Sequence, residues 1–71
     1  MLTDYQRQLF SRLMDHNAEF ETAVNAKDSR LALVSARNYI DVENELKDEM
    51  GPNEYRQYMD RMRQMFAPKE N

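Results

Sequence analysis

The sequence predicts an all-α fold, a small three-helix protein with two long antiparallel helices and a shorter third. Three observations lead to this prediction. The 71 residues include one Gly and two Pro, whereas sheets and phosphate-binding loops need Gly for positive φ and close backbone approach. Strong helix formers dominate the composition. Apolar side chains recur at the period of a helix.

The first helix is predicted over about residues 4–26. Thr3 and Gln6 have capping-box spacing, and Asp4 in the first turn is favoured by the helix dipole. His16 lies inside the apolar stripe that follows. This stripe consists of Tyr5, Leu9, Leu13, Phe20 and Val24, with Phe10 and Ala23 beside it.

The second helix is predicted over about residues 30–50, after a tight turn in which Asp28 or Ser29 can cap it. Its apolar arc is broad, as expected for a central helix that contacts two neighbours. Glu43 lies inside this arc and Val34 points away from it. The arc consists of Leu31, Ala32, Ala36, Tyr39, Ile40, Val42, Leu46 and Met50.

Gly51 and Pro52 predict the end of the second helix, because Gly adopts positive φ after a helix and Pro cannot continue one. Asn53 can cap a third helix over about residues 53–66. Its apolar stripe has the cleanest helical period in the chain, with Tyr55, Tyr58, Met59, Met62, Met65 and Phe66. We expect one domain over the whole chain, with a C-terminus frayed from about residue 67.

An antiparallel pairing of the first two helices predicts which residues face each other. Facing residue numbers should sum to about 55, so that Leu9 meets Leu46 and Phe20 meets Ser35 or Ala36. The same register places His16 beside Tyr39 and Arg12 beside Glu43, which suggests an ion pair for the latter two.

Helix length predicts an incompletely covered hairpin. The first two helices span roughly 30 Å each and the third about 20 Å. Apolar surface near Phe10, Met14 and Val34 should therefore stay exposed in a monomer. Such surface usually marks an interface, so we expect a homodimer or a different protein partner.

The chemistry of the side chains argues against an enzyme. With no Cys and one His, the chain lacks disulfides, thiolate metal ligands and His-rich metal sites. His16 is the only side chain with an ordinary pKa near neutrality, and we interpret it as a structural residue bonded to Tyr39 or to a backbone carbonyl. We expect no catalytic residues, no metal and no cofactor.

Charge and hydropathy limit the location and the partners. The chain has no apolar leader and no apolar segment of about 20 residues, so we expect a cytoplasmic protein without membrane contact. Its formal net charge is −3, which argues weakly against nucleic acid, since duplex binding relies on clustered Lys and Arg.

These observations predict a small protein that binds another protein, as a regulator, an inhibitor or an accessory subunit. Met-rich faces adapt to partners, and aromatic residues and Arg are enriched at interfaces. The predicted contact residues are therefore Tyr58, Arg61, Met62, Arg63, Met65 and Phe66. Small, charged, cysteine-free helical chains are common among phage and mobile-element accessory proteins, so base rates favour that origin.

Two alternative functions depend on the charged side chains instead. In the first, the third helix reads DNA as a transcriptional regulator, with Gln57 and Gln64 beside its arginines. In the second, the acidic stretch of residues 41–49 imitates DNA phosphates and inhibits a DNA-binding protein. Overall acidity and the long second helix argue against the first alternative, and most charged stretches are simply solvated.

Overall fold

A computed structural model describes residues 2–66, apart from the side chain of Phe66. Three helices follow in order, α1 (Asp4–Asn25), α2 (Ser29–Met50) and α3 (Pro52–Phe66). They contain 22, 22 and 15 residues, and the described part of the chain has no strand. The predicted all-α fold with two long helices and a shorter third is confirmed. The expected fraying from about residue 67 lies outside the described residues.

Side-chain caps set the start of the two long helices. At α1, the Gln6 backbone N–H donates to Thr3 Oγ1 and the Thr3 N–H donates to Gln6 Oε1, both at 3.1 Å. This is the predicted capping box, which satisfies two amides that have no partner within the helix. At α2, Asp28 is the cap, because its Oδ1 accepts from the Leu31 N–H at 3.1 Å.

Gly51 alone joins α2 to α3. Its N–H donates to the Lys47 carbonyl at 2.8 Å, and its carbonyl accepts from the Tyr55 N–H at 3.0 Å. The residue has φ 86° and ψ 147°, a combination that residues with a Cβ rarely adopt. α3 begins at Pro52, whose fixed φ suits the first helical position. The prediction that Asn53 caps α3 is therefore wrong, because Asn53 already lies inside the first turn.

The contacts between α1 and α2 agree with the antiparallel register. Leu9 and Leu46 are both fully buried and belong to one cluster. Phe20 and Ala36 line the same surface depression nearer the turn. Each of these pairs has residue numbers that sum to 55 or 56.

The core occupies one end of the hairpin. Its buried members are Leu9, Phe10, Leu13, Leu46 and Tyr55, with Met59 and Met62 of α3 among the partly buried side chains against them. Nearer the turn, the fully buried residues are small, Ala23 and Ser35. The core therefore ends where α3 ceases to cover the hairpin.

Several apolar residues that the helical period assigned to the buried stripes are exposed. These are Tyr5, Phe20 and Val24 of α1, and Leu31 and Ile40 of α2. Two helices in contact bury only a narrow seam, and the rest of each apolar arc needs a third element. Because α3 covers only part of the hairpin, the apolar arcs of α1 and α2 contain more residues than the fold buries.

Phe10 departs from the prediction in the opposite sense, because it is buried where exposed surface was expected. Sequence analysis places it in exposed surface, whereas it is 6% exposed. Its ring centroid lies 4.5 Å from that of Tyr58 and 6.4 Å from that of Tyr55, so α3 covers it. Met14 and Val34, expected to be exposed with it, are indeed exposed.

We predict that Phe10→Ala destabilises the protein far more than Met14→Ala. Removing a buried Phe side chain costs about 3–5 kcal/mol, which equals the net stability of a core of this size, about 3–5 kcal/mol. The variant should be largely unfolded in thermal melts followed by circular dichroism. Met14→Ala removes an exposed side chain and should stay within about 0.5 kcal/mol of wild type. Equal melting temperatures for the two variants would contradict the packing of α3 against Phe10.

Candidate protein-binding surfaces

A polar contact at the edge of the core fixes α3 against α2. The hydroxyl of buried Tyr55 donates to Glu43 Oε2 at 2.8 Å. The other carboxylate oxygen, Oε1, lies 3.7 Å from Lys47 Nζ, and the same ammonium is 5.5 Å from the centre of the Tyr55 ring. A hydrogen bond to an ionised acceptor is stronger than a neutral one. The contact therefore sets how α3 lies across α2.

Burial keeps the proton on this hydroxyl. Desolvation is the largest cause that raises the pKa of Tyr55 well above its ordinary value, followed by the hydrogen bond to Glu43 and the negative charge of that carboxylate. Burial and Glu43 also raise the pKa of Tyr39 nearby, while Arg63 acts in the opposite direction on both. Tyr55 is therefore a permanent hydrogen-bond donor near neutral pH and unsuited to act as a base.

The antiparallel register predicted an ion pair between Glu43 and Arg12, and this prediction is wrong. The partners of Glu43 are Tyr55 and Lys47, and Arg12 is exposed. The contact of Glu43 with Tyr55 could not be read from helical periods, which give the face of each helix but not the line along which α3 crosses α2. The available signal was a carboxylate within one apolar arc and a tyrosine within another.

His16 is half-buried and lies beside Glu19. Its Nδ1 is 3.5 Å from Glu19 Oε1 and makes no hydrogen bond, although the atom is buried. The expected bond to Tyr39 or to a backbone carbonyl is not made at this nitrogen. On α2, the buried hydroxyl of Ser35 also lacks a hydrogen-bond partner. No group of three or more potential metal ligands occurs within residues 2–66.

The first apolar surface is a depression on the hairpin where α3 does not reach. We call it the hairpin groove, and its lining residues are Asn17, Phe20, Ala36, Tyr39 and Ile40. Tyr39 also lines the cleft between α2 and α3, so the groove begins where that cleft ends. Helical spacing places exposed Val24 and Leu33 on the same side of the hairpin. The groove lining contains no charged side chain.

The second apolar surface is the end of α3. We call Arg61, Met62, Arg63 and Met65 the α3 tip. Met65 is 76% exposed, and Met62 is half-buried against the core. Arg61 lines a depression beside Leu2 and Met50, whereas Arg63 lines the cleft on the other side of α3. The two arginines therefore flank the methionines.

The structure divides the predicted contact residues into two groups. Tyr58 is half-buried against the Phe10 ring and Met62 touches the core, so both contribute to the fold. Arg61, Arg63 and Met65 are exposed. The side chain of Phe66 lies outside the described residues.

The acidic stretch is divided as well. Asp41, Glu45, Asp48 and Glu49 recur at spacings that place them on one side of α2. Glu43 does not belong to this row, because it contacts Tyr55 in α3. The row therefore lies on a different side of α2 from the contact with α3.

Comparison with known proteins gives no family for this chain. No family model, curated protein or solved structure matches it. Within the described residues, none of the helices combines the length and the apolar character that crossing a membrane requires. The functional argument therefore rests on the two apolar surfaces and the charges around them.

We predict that Tyr55→Phe lowers the free energy of unfolding by about 1.5 kcal/mol, the lower end for a hydrogen bond to a charged group, since the Glu43 carboxylate is partly exposed. The ring still fills its place, while Glu43 loses a donor. Tyr5→Phe is the matched control, because that tyrosine is exposed and lies outside the core, and it should leave stability unchanged. Urea unfolding at one protein concentration gives both values. An unchanged midpoint for Tyr55→Phe would mean that the bond does not stabilise α3.

We also predict that alkaline pH destabilises wild type more steeply than Tyr55→Phe. The pKa of Tyr55 is higher in the folded chain than in the unfolded chain, so folding favours the protonated hydroxyl. Its stabilising contribution is complete below pH about 10, the ordinary tyrosine pKa, and decreases as the pH rises toward the folded-state pKa. Unfolding free energies measured on both sides of this pH test the difference. Parallel curves for the two proteins would contradict it.

Proposed function

We propose that this chain is a non-enzymatic protein that binds another protein through the α3 tip, as a small regulator, inhibitor or accessory subunit. The observation that supports this most directly is the 76% exposure of Met65. Met65 is the most exposed large apolar side chain within residues 2–65. Exposed apolar groups rimmed by charge are typical of interaction sites.

The composition of the tip suits such a contact. Methionine has a flexible, polarizable side chain that adapts to irregular surfaces. Arginine is enriched at interfaces and pairs well with carboxylates. Because Arg61 and Arg63 flank the methionines, the surface favours a partner with an apolar pocket and an acidic rim.

The rigidity of α3 also supports this function. Tyr55 and Tyr58 pack against the core at the first half of the helix, and the Glu43 bond fixes its orientation. A contact surface that is already ordered loses little conformational entropy on binding. The tip is thus presented on a helix that does not need to rearrange.

The polar groups favour binding over catalysis. Catalysis needs a nucleophile or base held in reach of a reacting atom. Tyr55 keeps its proton through burial, which raises its pKa, and His16 faces a carboxylate of its own helix. Tyr55 lines the cleft between α2 and α3, but its hydroxyl is engaged there as a donor to Glu43.

We predict that Met65→Glu abolishes capture of a partner while the fold is kept. Immobilised wild type is exposed to a lysate of the source organism, and retained proteins are identified by mass spectrometry. Val34→Glu is the matched control, because Val34 is also an exposed apolar residue but lies on α2. A protein retained by wild type and Val34→Glu but lost with Met65→Glu supports the proposal. Equal retention by all three would exclude the α3 tip.

Two alternatives remain proposals, and each has one supporting feature. The exposed side chains of Arg56 and Arg61 make no ion pair within residues 2–66, which suits DNA binding by α3. The acidic row of α2 suits imitation of DNA phosphates. Binding to duplex DNA with a steep salt dependence would favour the first alternative. Loss of inhibition after charge reversal at Glu45, Asp48 and Glu49 would favour the second.

A further inference from the structure

The chain exposes more surface than a compact protein of its size. Its accessible area is 5,933 Å² for a mass of 8.5 kDa, whereas monomers of that mass expose about 4,650 Å². Its radius of gyration is 13.4 Å, against about 11 Å for a compact domain of this length. The surplus area is about 1,300 Å².

Much of the exposed apolar surface lies on the half of the hairpin nearest the turn. The fully buried residues there are Ala23 and Ser35, both small. The same region exposes Phe20, Val24, Leu31, Leu33 and Ile40, whereas exposed Val34 points away from the groove. Two helices without a third covering element bury too little apolar surface to be stable alone. This half of the molecule therefore needs an additional layer.

The hairpin groove has the features of a self-complementary surface. In a two-fold interface the same patch occurs on both sides, so it must offer projecting and receiving groups at once. The lining combines two large exposed apolar side chains, Phe20 and Ile40, with the small side chain of Ala36. Because the lining has no charged side chain, a second copy would not bury an unpaired charge there.

We propose that a second copy of this chain covers the hairpin groove, so that the protein is a two-fold symmetric dimer. The area supports this occupant over a single peptide helix. The surplus of about 1,300 Å² over the whole chain is large enough for an interface of standard size, which buries about 800 Å² per partner. The α3 tip takes no part in this interface.

The dimer also deepens the proposed function, and in this respect it rests on that function. The groove and the α3 tip share no residue, so dimerisation leaves both tips available. A dimer then presents two tips to one partner or to two. Linked contacts of this kind raise the apparent affinity without any new contact.

Sedimentation equilibrium of wild type, Ile40→Glu and Val34→Glu tests the dimer. We expect wild type and Val34→Glu to have twice the 8.5 kDa chain mass, and Ile40→Glu to have the single mass. Ile40 and Val34 are 51% and 49% exposed in one chain, so each isolated chain tolerates a Glu about equally. Only the groove position would bury that charge in the dimer.

Melting provides a second readout that a general loss of stability would not imitate. The melting temperature of a folded dimer rises with protein concentration. We expect this rise for wild type and Val34→Glu between about 1 µM and about 100 µM, and no such rise for Ile40→Glu. A wild type that is monomeric throughout this range, or an Ile40→Glu variant that is still dimeric, would overturn the proposal.

The Met65→Glu variant separates this proposal from the proposed function. We expect Met65→Glu to remain dimeric while it loses the partner. A monomeric Met65→Glu beside a dimeric Ile40→Glu would place the contact between copies at the α3 tip and overturn the groove. A monomeric wild type that still captures a partner through Met65 would exclude the dimer and leave the proposed function intact.

Discussion

The fold depends on the aromatic junction at which all three helices meet. Phe10 of α1 lies against Tyr55 and Tyr58 of α3, and Leu46 of α2 completes the cluster. Offset aromatic pairs stabilise beyond their buried area. Because the chain has no disulfide, this junction and the seam between α1 and α2 must supply most of its stability. The hydrogen bond that the Tyr55 hydroxyl donates to Glu43 orients α3 relative to α2.

The length of α3 determines what the junction leaves exposed. Fifteen residues span about 22 Å, against about 33 Å for each helix of the hairpin. α3 covers the end of the hairpin opposite the turn, where it begins after Gly51. Phe20 and Ile40 therefore stay uncovered near the turn, while Met65 stays uncovered at the other end of α3. Both apolar surfaces have the same geometric origin.

Local interactions were predictable from the sequence, whereas the placement of α3 was not. The Thr3 capping box and the Gly51 break follow from backbone chemistry within a few residues, and both were predicted. The burial of Phe10 and the pairing of Glu43 depend on the angle at which α3 crosses the hairpin. No periodicity encodes that angle. The exposure of Met65 was predicted as part of a contact surface, but the same reasoning placed Tyr58 there, although it contributes to the core.

Association and folding are therefore linked in this chain. A core of this size supplies only about 3–5 kcal/mol, and it occupies one end of the hairpin. Whatever covers the groove binds the folded chain but not the unfolded one, so its binding free energy adds to stability. The half of the hairpin near the turn would then be ordered most firmly in the complex. In a chain without disulfides, the exposed residues Phe20 and Ile40 lower the stability of the monomer and at the same time make its association favourable.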